Sequence, residues 1–263
     1  MRELVRQRAG IALPPSKRPM ICRRLRPRLQ ALGLDSFSEY VALLQRDPAE
    51  VELCLNAIST NLTAFFREPH HFEFLARQWA AGPPSRGQGR LRLWSAGCAT
   101  GEEAYSIAMA LGEVLAPQDF QRVLILATDI NSEALAVARA GEYDLAAVRH
   151  LSEARLRRWF WKGKGRKSGR VQVYRELQER IRFRSLNLYD RWPMNRPFQA
   201  IFYRNVMIYF DRDTQIEILD RMSRLLMPGG LLFLGHSECL LGMSDRFRSV
   251  AKTTFERREA APG

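Results

Sequence analysis

Three short stretches place polar residues where an apolar run ends. The first is Ala96-Gly-Cys-Ala-Thr-Gly101-Glu-Glu103, in which two glycines four positions apart let backbone come close to a ligand and two acids open the next element. Acids at a helix start already satisfy its positive end and would repel a pyrophosphate, so the loop does not suit a dinucleotide. It suits a ligand carrying positive charge or hydroxyls, with simple helix capping as the other use of Glu102 or Glu103. The second stretch, Ala127-Thr-Asp129-Ile, ends in an acid with acceptor oxygens only, the usual grip on ribose hydroxyls. Ser132 is expected to cap the helix that follows. In the third, Tyr203-Arg204-Asn205-Val-Met-Ile-Tyr209-Phe210, polar residues and then an apolar turn follow a strand end, as a pocket wall requires.

Elements that would hold these stretches are legible from periodicity. Ile21, Leu25, Leu29 and Leu32 recur at helical spacing from Arg18 to Gly33, and helical patterns continue from Ser36 and from Pro48. No strand pattern precedes residue 90, and Ala81 to Gly89 is rich in breakers and reads as a loop. Beyond it, strands at Leu91–Ser95, Val123–Ala127, Phe198–Tyr203 and Leu231–Leu234 alternate with helices at Glu102–Leu115, Ser132–Ala140 and Asp213–Leu226. That rhythm predicts an α/β fold with a doubly wound, mostly parallel sheet. The expected division is a helical domain over 1–62, an interdomain segment over 63–90 and a sheet domain over 91–263. Trp159-Phe-Trp161, the Gly163–Gly169 loop and Val171–Tyr174 break the rhythm and read as an antiparallel hairpin subdomain inserted at about 155–184.

A chain of 263 residues with 46% hydrophobic and 26% charged residues excludes collagen, disorder and a coiled-coil rod. No apolar run is long enough to span a membrane, and the Arg-rich start is not read as a secretory signal. Cys22, Cys54, Cys98 and Cys239 form no C-x-x-C pair, so neither zinc nor a disulfide framework is expected, and a reducing cytoplasm is the simplest location. The net charge of +13 is concentrated: residues 1–30 carry +8, residues 149–170 carry +8, and the remainder sums to −3. Two such surfaces suggest an acidic macromolecular partner, whether nucleic acid, anionic lipid or protein.

The motifs Asn61-Leu-Thr63-Ala-Phe-Phe-Arg67-Glu, Trp94-Ser-Ala-Gly-Cys-Ala-Thr-Gly-Glu-Glu103-Ala-Tyr-Ser106, Ala127-Thr-Asp129-Ile, Arg204-Asn-Val-Met-Ile-Tyr-Phe210 and Gly235-His-Ser-Glu238 occur in that order. Together they resemble the CheR family of chemotaxis receptor glutamate methyltransferases, from about residue 17 to 258. The Gly97-Cys98 pair departs from the small-residue pattern of that family. The resemblance implies a small all-α N-terminal domain and an S-adenosylmethionine-dependent methyltransferase domain with an inserted antiparallel β subdomain. It also implies esterification of glutamates on cytoplasmic chemoreceptor helices, with S-adenosylhomocysteine as product. On this basis Asn61, Thr63 and Arg67 line the cofactor pocket, Glu103 binds the methionine amino end and Asp129 the ribose. Asn187 and Leu188 flank the adenine, Arg204 and Asn205 close the cleft, and Tyr209 lies near the transferred methyl.

Such a reaction needs no general base, because a glutamate with a reference pKa of about 4.3 is already ionised near neutral pH. Arg67 would position the substrate carboxylate and Tyr209 the methyl and sulfur, while His70, His71 and His236 are expected to be structural or pocket-lining. Arg23, Arg24 and Arg28, with Arg26, would face the acidic methylation region of a receptor. The block at 149–170 would serve, as in some family members, to dock a receptor tail peptide by strand addition. A monomer without nucleic-acid binding or membrane insertion is expected. A nucleic-acid methyltransferase is disfavoured because Tyr203 is not followed by an Asn/Asp-Pro-Pro-aromatic motif and no Pro-Cys nucleophile is present. A non-catalytic S-adenosylmethionine sensor is the other alternative.

Overall fold

The computed structural model describes residues 1–82 and 89–259. Most of the expected Ala81–Gly89 loop, residues 83–88, lies outside the described residues. Four α-helices build the first unit: α1 (Arg2–Ala9), α2 (Arg18–Ala31), α3 (Phe37–Arg46) and α4 (Pro48–Ile58). Ile21, Leu25 and Leu29 form one stripe of α2 and pack with Tyr40, Leu44, Cys54 and Leu55. Ser36 and Glu39 form a reciprocal capping box for α3, and Asp47 accepts from the Ala49 and Glu50 amides to start α4.

The second unit runs from α5 (His70–Ala80) through β1 (Leu91–Ala96), α6 (Glu102–Val114), α7 (Pro117–Phe120), β2 (Val123–Asp129) and α8 (Ser132–Ala140). There follow β3 (Glu142–Asp144), α9 (Leu145–Val148), α10 (Glu153–Trp159), β4 (Phe160–Lys162), β5 (Arg170–Val173) and α11 (Arg175–Gln178). The chain ends with β6 (Ile181–Ser185), β7 (Phe198–Tyr203), α12 (Arg212–Leu225), β8 (Leu226–Leu234), β9 (Phe247–Ala251) and β10 (Thr254–Arg257). Seven strands form one sheet in the order β6-β2-β1-β7-β8-β10-β9. Five are parallel, and β10 and β9 add antiparallel to the far side.

Both faces of the central strands β1 and β7 are buried, which is why they are nearly continuous apolar runs. Leu91 and Leu93 of β1 point into one core with Ala200, Phe202, Leu231 and Phe233. Trp94 and Ala96 point into the other with Ile201, Tyr203, Leu232 and Leu234. Chain order reverses around β1, which pairs β2 on one side and β7 on the other. A ligand crevice belongs beyond the carboxyl ends of those strands.

The inserted region differs from expectation in two ways. The hairpin β4–β5 forms, but in a separate three-stranded sheet of order β3-β5-β4, whose third strand precedes residue 155. Three residues of β3 are too few to show an alternation. At the other end, Ile181–Ser185 leaves the insert to pair with β2 as β6 of the main sheet. Its Ile181 and Phe183 are buried between exposed arginines, the pattern of a half-covered edge strand. Helix α12 stops at Leu225, and β8 runs through Pro228-Gly-Gly230 with a register shift against β7.

The two units are latched together. Asn56 of α4 exchanges hydrogen bonds with Ser132, its Nδ2 donating to Ser132 Oγ (2.9 Å) and its Oδ1 accepting from the Ser132 amide (3.1 Å). Asn131 Nδ2 donates to the Asn56 carbonyl (3.1 Å) and to Ser59 Oγ (2.7 Å). The cap of α8 is therefore Asn131, whose Oδ1 accepts from the Ala134 amide at 2.8 Å, and not Ser132, whose hydroxyl is committed to the latch. Among the described residues, no helix is long and apolar enough to cross a membrane.

Candidate active site

A 460 Å³ cavity opens beyond the carboxyl ends of β1, β2 and β7. Its lining includes Asn61, Thr63, Arg67, Glu103, Asp129, Asn187, Leu188, Arg204, Asn205 and Tyr209, all singled out from the sequence. The segment from 61 to 68 enters it because Phe65 and Phe66 are buried in the sheet core, leaving Asn61, Thr63 and Arg67 along the wall. Phe66 sits at φ 52° and Glu68 at φ 58°, a left-handed conformation costly for such residues. It is held by the Phe66 amide donating to Ser106 Oγ at 2.8 Å and by Arg155 lying 3.8 Å over the Phe66 ring. Arg67 Nη1 donates to the Leu62 carbonyl at 2.8 Å.

Glu103 is nearly out of water. Its Oε1 accepts from Ser95 Oγ (2.7 Å) and its Oε2 from Arg204 Nη1 (3.1 Å). Burial raises its pKa, with Arg204 and Ser95 opposing. Glu102 turns away and accepts from Thr100 Oγ1 at 2.6 Å, so the two acids have different partners. Asp129 accepts from the Ala99 amide (2.8 Å) and the Asn131 amide (2.9 Å), which locks the β1–α6 and β2–α8 turns to one carboxylate. Burial raises its pKa too, with these backbone donors opposing. Gly97, at φ 95°, is needed because a Cβ there would lie 2.3 Å from Val206 Cγ2. Its role is thus to seat the 204–207 turn. Cys98 is buried in the sheet core and does not line the cavity.

Arg204 and Asn187 are more constrained than a free ligand contact would be. Arg204 is 5% exposed and lies between Glu103 and Glu68 (3.5 Å), also donating to the Arg67 carbonyl. Asn187 Nδ2 donates to the Arg8 carbonyl at 2.7 Å, so its side chain ties the cavity wall to α1. Arg24 and Arg28, grouped by sequence with receptor contacts, face inward instead. Arg28 donates to both Glu50 oxygens (2.7 and 2.5 Å), and Tyr40 adds a third bond at 2.7 Å. Arg24 caps the end of α4 through the carbonyls of Ile58 (2.7 Å) and Ser59 (2.8 Å). Arg23 and Arg26 are exposed. Helical spacing alone does not reveal which arginines flank the apolar stripe closely enough to reach acids or carbonyls beneath it.

Two components of the site went unassigned in the sequence. One is the strap after α1: Ile11 bridges Phe210, the Ala12 amide donates to the Tyr209 carbonyl at 2.8 Å, and Ala9, Ile11 and Leu13 line the cavity. The other is Glu238, 6% exposed, which accepts from the amides of Asn205 (2.9 Å), Met207 (2.9 Å) and Gly235 (2.7 Å). It holds Asn205 at φ 61° and so shapes the 204–210 turn. An acid three residues after a strand-ending glycine was the available signal.

The seven-stranded sheet, with buried acids at the carboxyl ends of its first two strands, is that of an S-adenosylmethionine-binding methyltransferase domain, as the family match shows. Residues 61–255 match the family described as CheR methyltransferase, SAM binding domain, and residues 1–59 the one described as CheR methyltransferase, all-alpha domain. The chain is 45% identical to the chemotaxis protein methyltransferase of Salmonella typhimurium, over 96% of this chain and 87% of that protein. It is 44% identical to chemotaxis protein methyltransferase 2 of Pseudomonas aeruginosa, over 97% and 90% of the two chains. The chain belongs to the CheR methyltransferase family.

Proposed function

We propose that this methyltransferase esterifies glutamate side chains on the cytoplasmic helices of chemoreceptors. The observation that carries the reading is the composition of the cavity: Arg67, whose guanidinium is held by the Leu62 carbonyl and by no acid among the described residues, shares it with the acids Glu103 and Asp129, and no histidine or cysteine is among its described lining residues. Acids suit a cationic cofactor, an arginine suits an anionic acceptor, and an acceptor that is already ionised needs no base. S-adenosylmethionine supplies an electrophilic sulfonium methyl group. Glu103 holds its ammonium group and Asp129 its ribose hydroxyls, while Asn61, Thr63 and the backbone at Asn187 and Leu188 complete the enclosure. Arg204 orients Glu103, and Asn205 shapes the turn that carries Tyr209. Arg67 fixes the glutamate carboxylate, and Tyr209 packs beside the reacting atoms. Such orientation can lower a barrier by up to about 7–11 kcal/mol.

Recognition of the receptor rests on charge. Arg23 and Arg26 present a cationic face on α2, whose neighbours Lys17 and Met20 reach the cavity. The second basic block surrounds β4, at one edge of its small sheet, where Trp161 is 63% exposed and stacks on Tyr174 at 4.6 Å. An unpaired strand edge beside an exposed aromatic suits an extended tail peptide. The test is incubation with methyl-labelled S-adenosylmethionine and, in parallel, receptor-bearing membranes or tRNA. Alkali-labile label on the receptor, released as methanol, supports the reading; label in RNA, or none, overturns it.

A further inference from the structure

A second group of ligand-type side chains lies across Arg204 from the cavity. Glu68, His70 and His71 each offer an oxygen or nitrogen within 4.8 Å of the others. His236, on the loop after β8, stands beside this trio, its Nδ1 3.1 Å from Glu68 Oε1. His71 is 0% exposed, and its Nε2 is 2.7 Å from Thr253 Oγ1. Its other nitrogen, Nδ1, has no hydrogen-bond partner among the described residues, and neither has Glu68 Oε2, from which it stands 3.7 Å. That separation is too long for a hydrogen bond. Two ligands bound at about 2.0–2.2 Å to one tetrahedral centre lie roughly 3.3–3.6 Å apart. The facing orphan atoms, 3.7 Å apart in a partly buried His/Glu cluster, are therefore within about 0.1–0.4 Å of the spacing a single ion would impose.

The geometry points to a divalent cation site of the zinc class formed by Glu68, His70 and His71, with His236 outside it as the group that holds the other Glu68 oxygen. Two imidazoles and one carboxylate are a borderline donor set, suited to zinc and its neighbours rather than to calcium or magnesium. Arg204, 3.5 Å from Glu68 Oε2, competes with an ion there but retains Glu103 and the Arg67 carbonyl as partners. An ion at this site would thus shift Arg204 toward Glu103.

The test uses untagged full-length protein, stripped with chelator and dialysed, then titrated calorimetrically with zinc chloride and spectroscopically with cobalt(II). One ion per chain and a visible cobalt band are expected. His71→Ala removes the buried donor and could disturb folding, so the decisive variant is His70→Ala with His236→Ala, at positions nearer the surface. It should bind zinc at least 100-fold more weakly, because losing a partner of a ligand already costs about 10–100-fold and a ligand itself more, with an unchanged circular dichroism spectrum when ion-free. Zinc should raise the melting temperature of the parent and not of the double variant. A parent that takes up no zinc at one per chain, or a double variant that binds or is stabilised as the parent is, overturns the site.

Discussion

Replacing Arg28 by alanine should unfold the helical domain more easily rather than weaken docking of a receptor. Glu50 is 3% exposed and accepts three hydrogen bonds, two of them from Arg28. Breaking a fully buried pair leaves an uncompensated charge and costs about 3–5 kcal/mol. The Arg28 side chain is 32% exposed, so water can enter its place and the expected loss falls to about 2–3 kcal/mol. For a chain of this size that is roughly 5–10 °C in melting temperature, if unfolding is one transition. Glu50 is held below its usual carboxyl range by the Arg28 hydrogen bonds. A depressed folded-state pKa contributes stability above the unfolded value of about 4.3 and loses it as pH falls through the folded value. The deficit of Arg28→Ala should therefore be complete at pH 7 and shrink below about pH 4. Urea midpoints at both pH values, with and without Glu50→Gln, provide the measurement, and neutralising the orphaned acid should recover at least half of the loss. A deficit under about 0.5 kcal/mol at pH 7, or no recovery with Glu50→Gln, would refute the reasoning.

The double variant Arg23→Glu/Arg26→Glu should melt as the parent does yet methylate receptor membranes at least tenfold more slowly, with a flatter dependence on salt, because both side chains are exposed; unchanged rates in a salt series would remove α2 from recognition. Arg67→Ala should lower kcat by about 10²–10³ with little change in melting temperature, as expected for loss of a positioned charge donor. Tyr209→Ala should cost about tenfold, by loss of packing and orientation. Steady-state kinetics checks both. Cofactor affinity, followed calorimetrically, should decline as the solution is acidified through a pKa for Glu103 that burial has raised above the ordinary carboxylate range, since the protonated acid no longer attracts an ammonium group. Affinity that stays flat well below pH 4 would remove Glu103 from that role.

Strands buried on both faces were legible because Leu91–Ala96, Val123–Asp129 and Phe198–Tyr203 leave no other reading for their apolar runs. The residues gathered in the cavity were legible because each lies just beyond such a strand or in a motif before it. What stayed hidden depended on tertiary partners. Helix α1 has eight residues, mostly polar, and gains its place only from Val5, Ala9 and the contacts of its strap. Arg24 and Arg28 look like Arg23 and Arg26 until the end of α4 and Glu50 are placed beneath them. Ser132 and Asn131 are both good caps on paper, and the choice between them is made by Asn56, more than seventy residues away.

The boundary between the two family segments, near residue 60, is a join in the sequence that has no counterpart as a gap in space. Asn56 and Ser59 lie on one side of it and Asn131 and Ser132 on the other, and Asn131 also donates its amide to the carboxylate of Asp129. Cutting the chain there would take away the strap that walls the cavity and bare the polar groups of the latch. The helical segment is therefore a structural part of the catalytic unit. Grafting one relative's helices onto another's sheet should succeed only where these four side chains travel together.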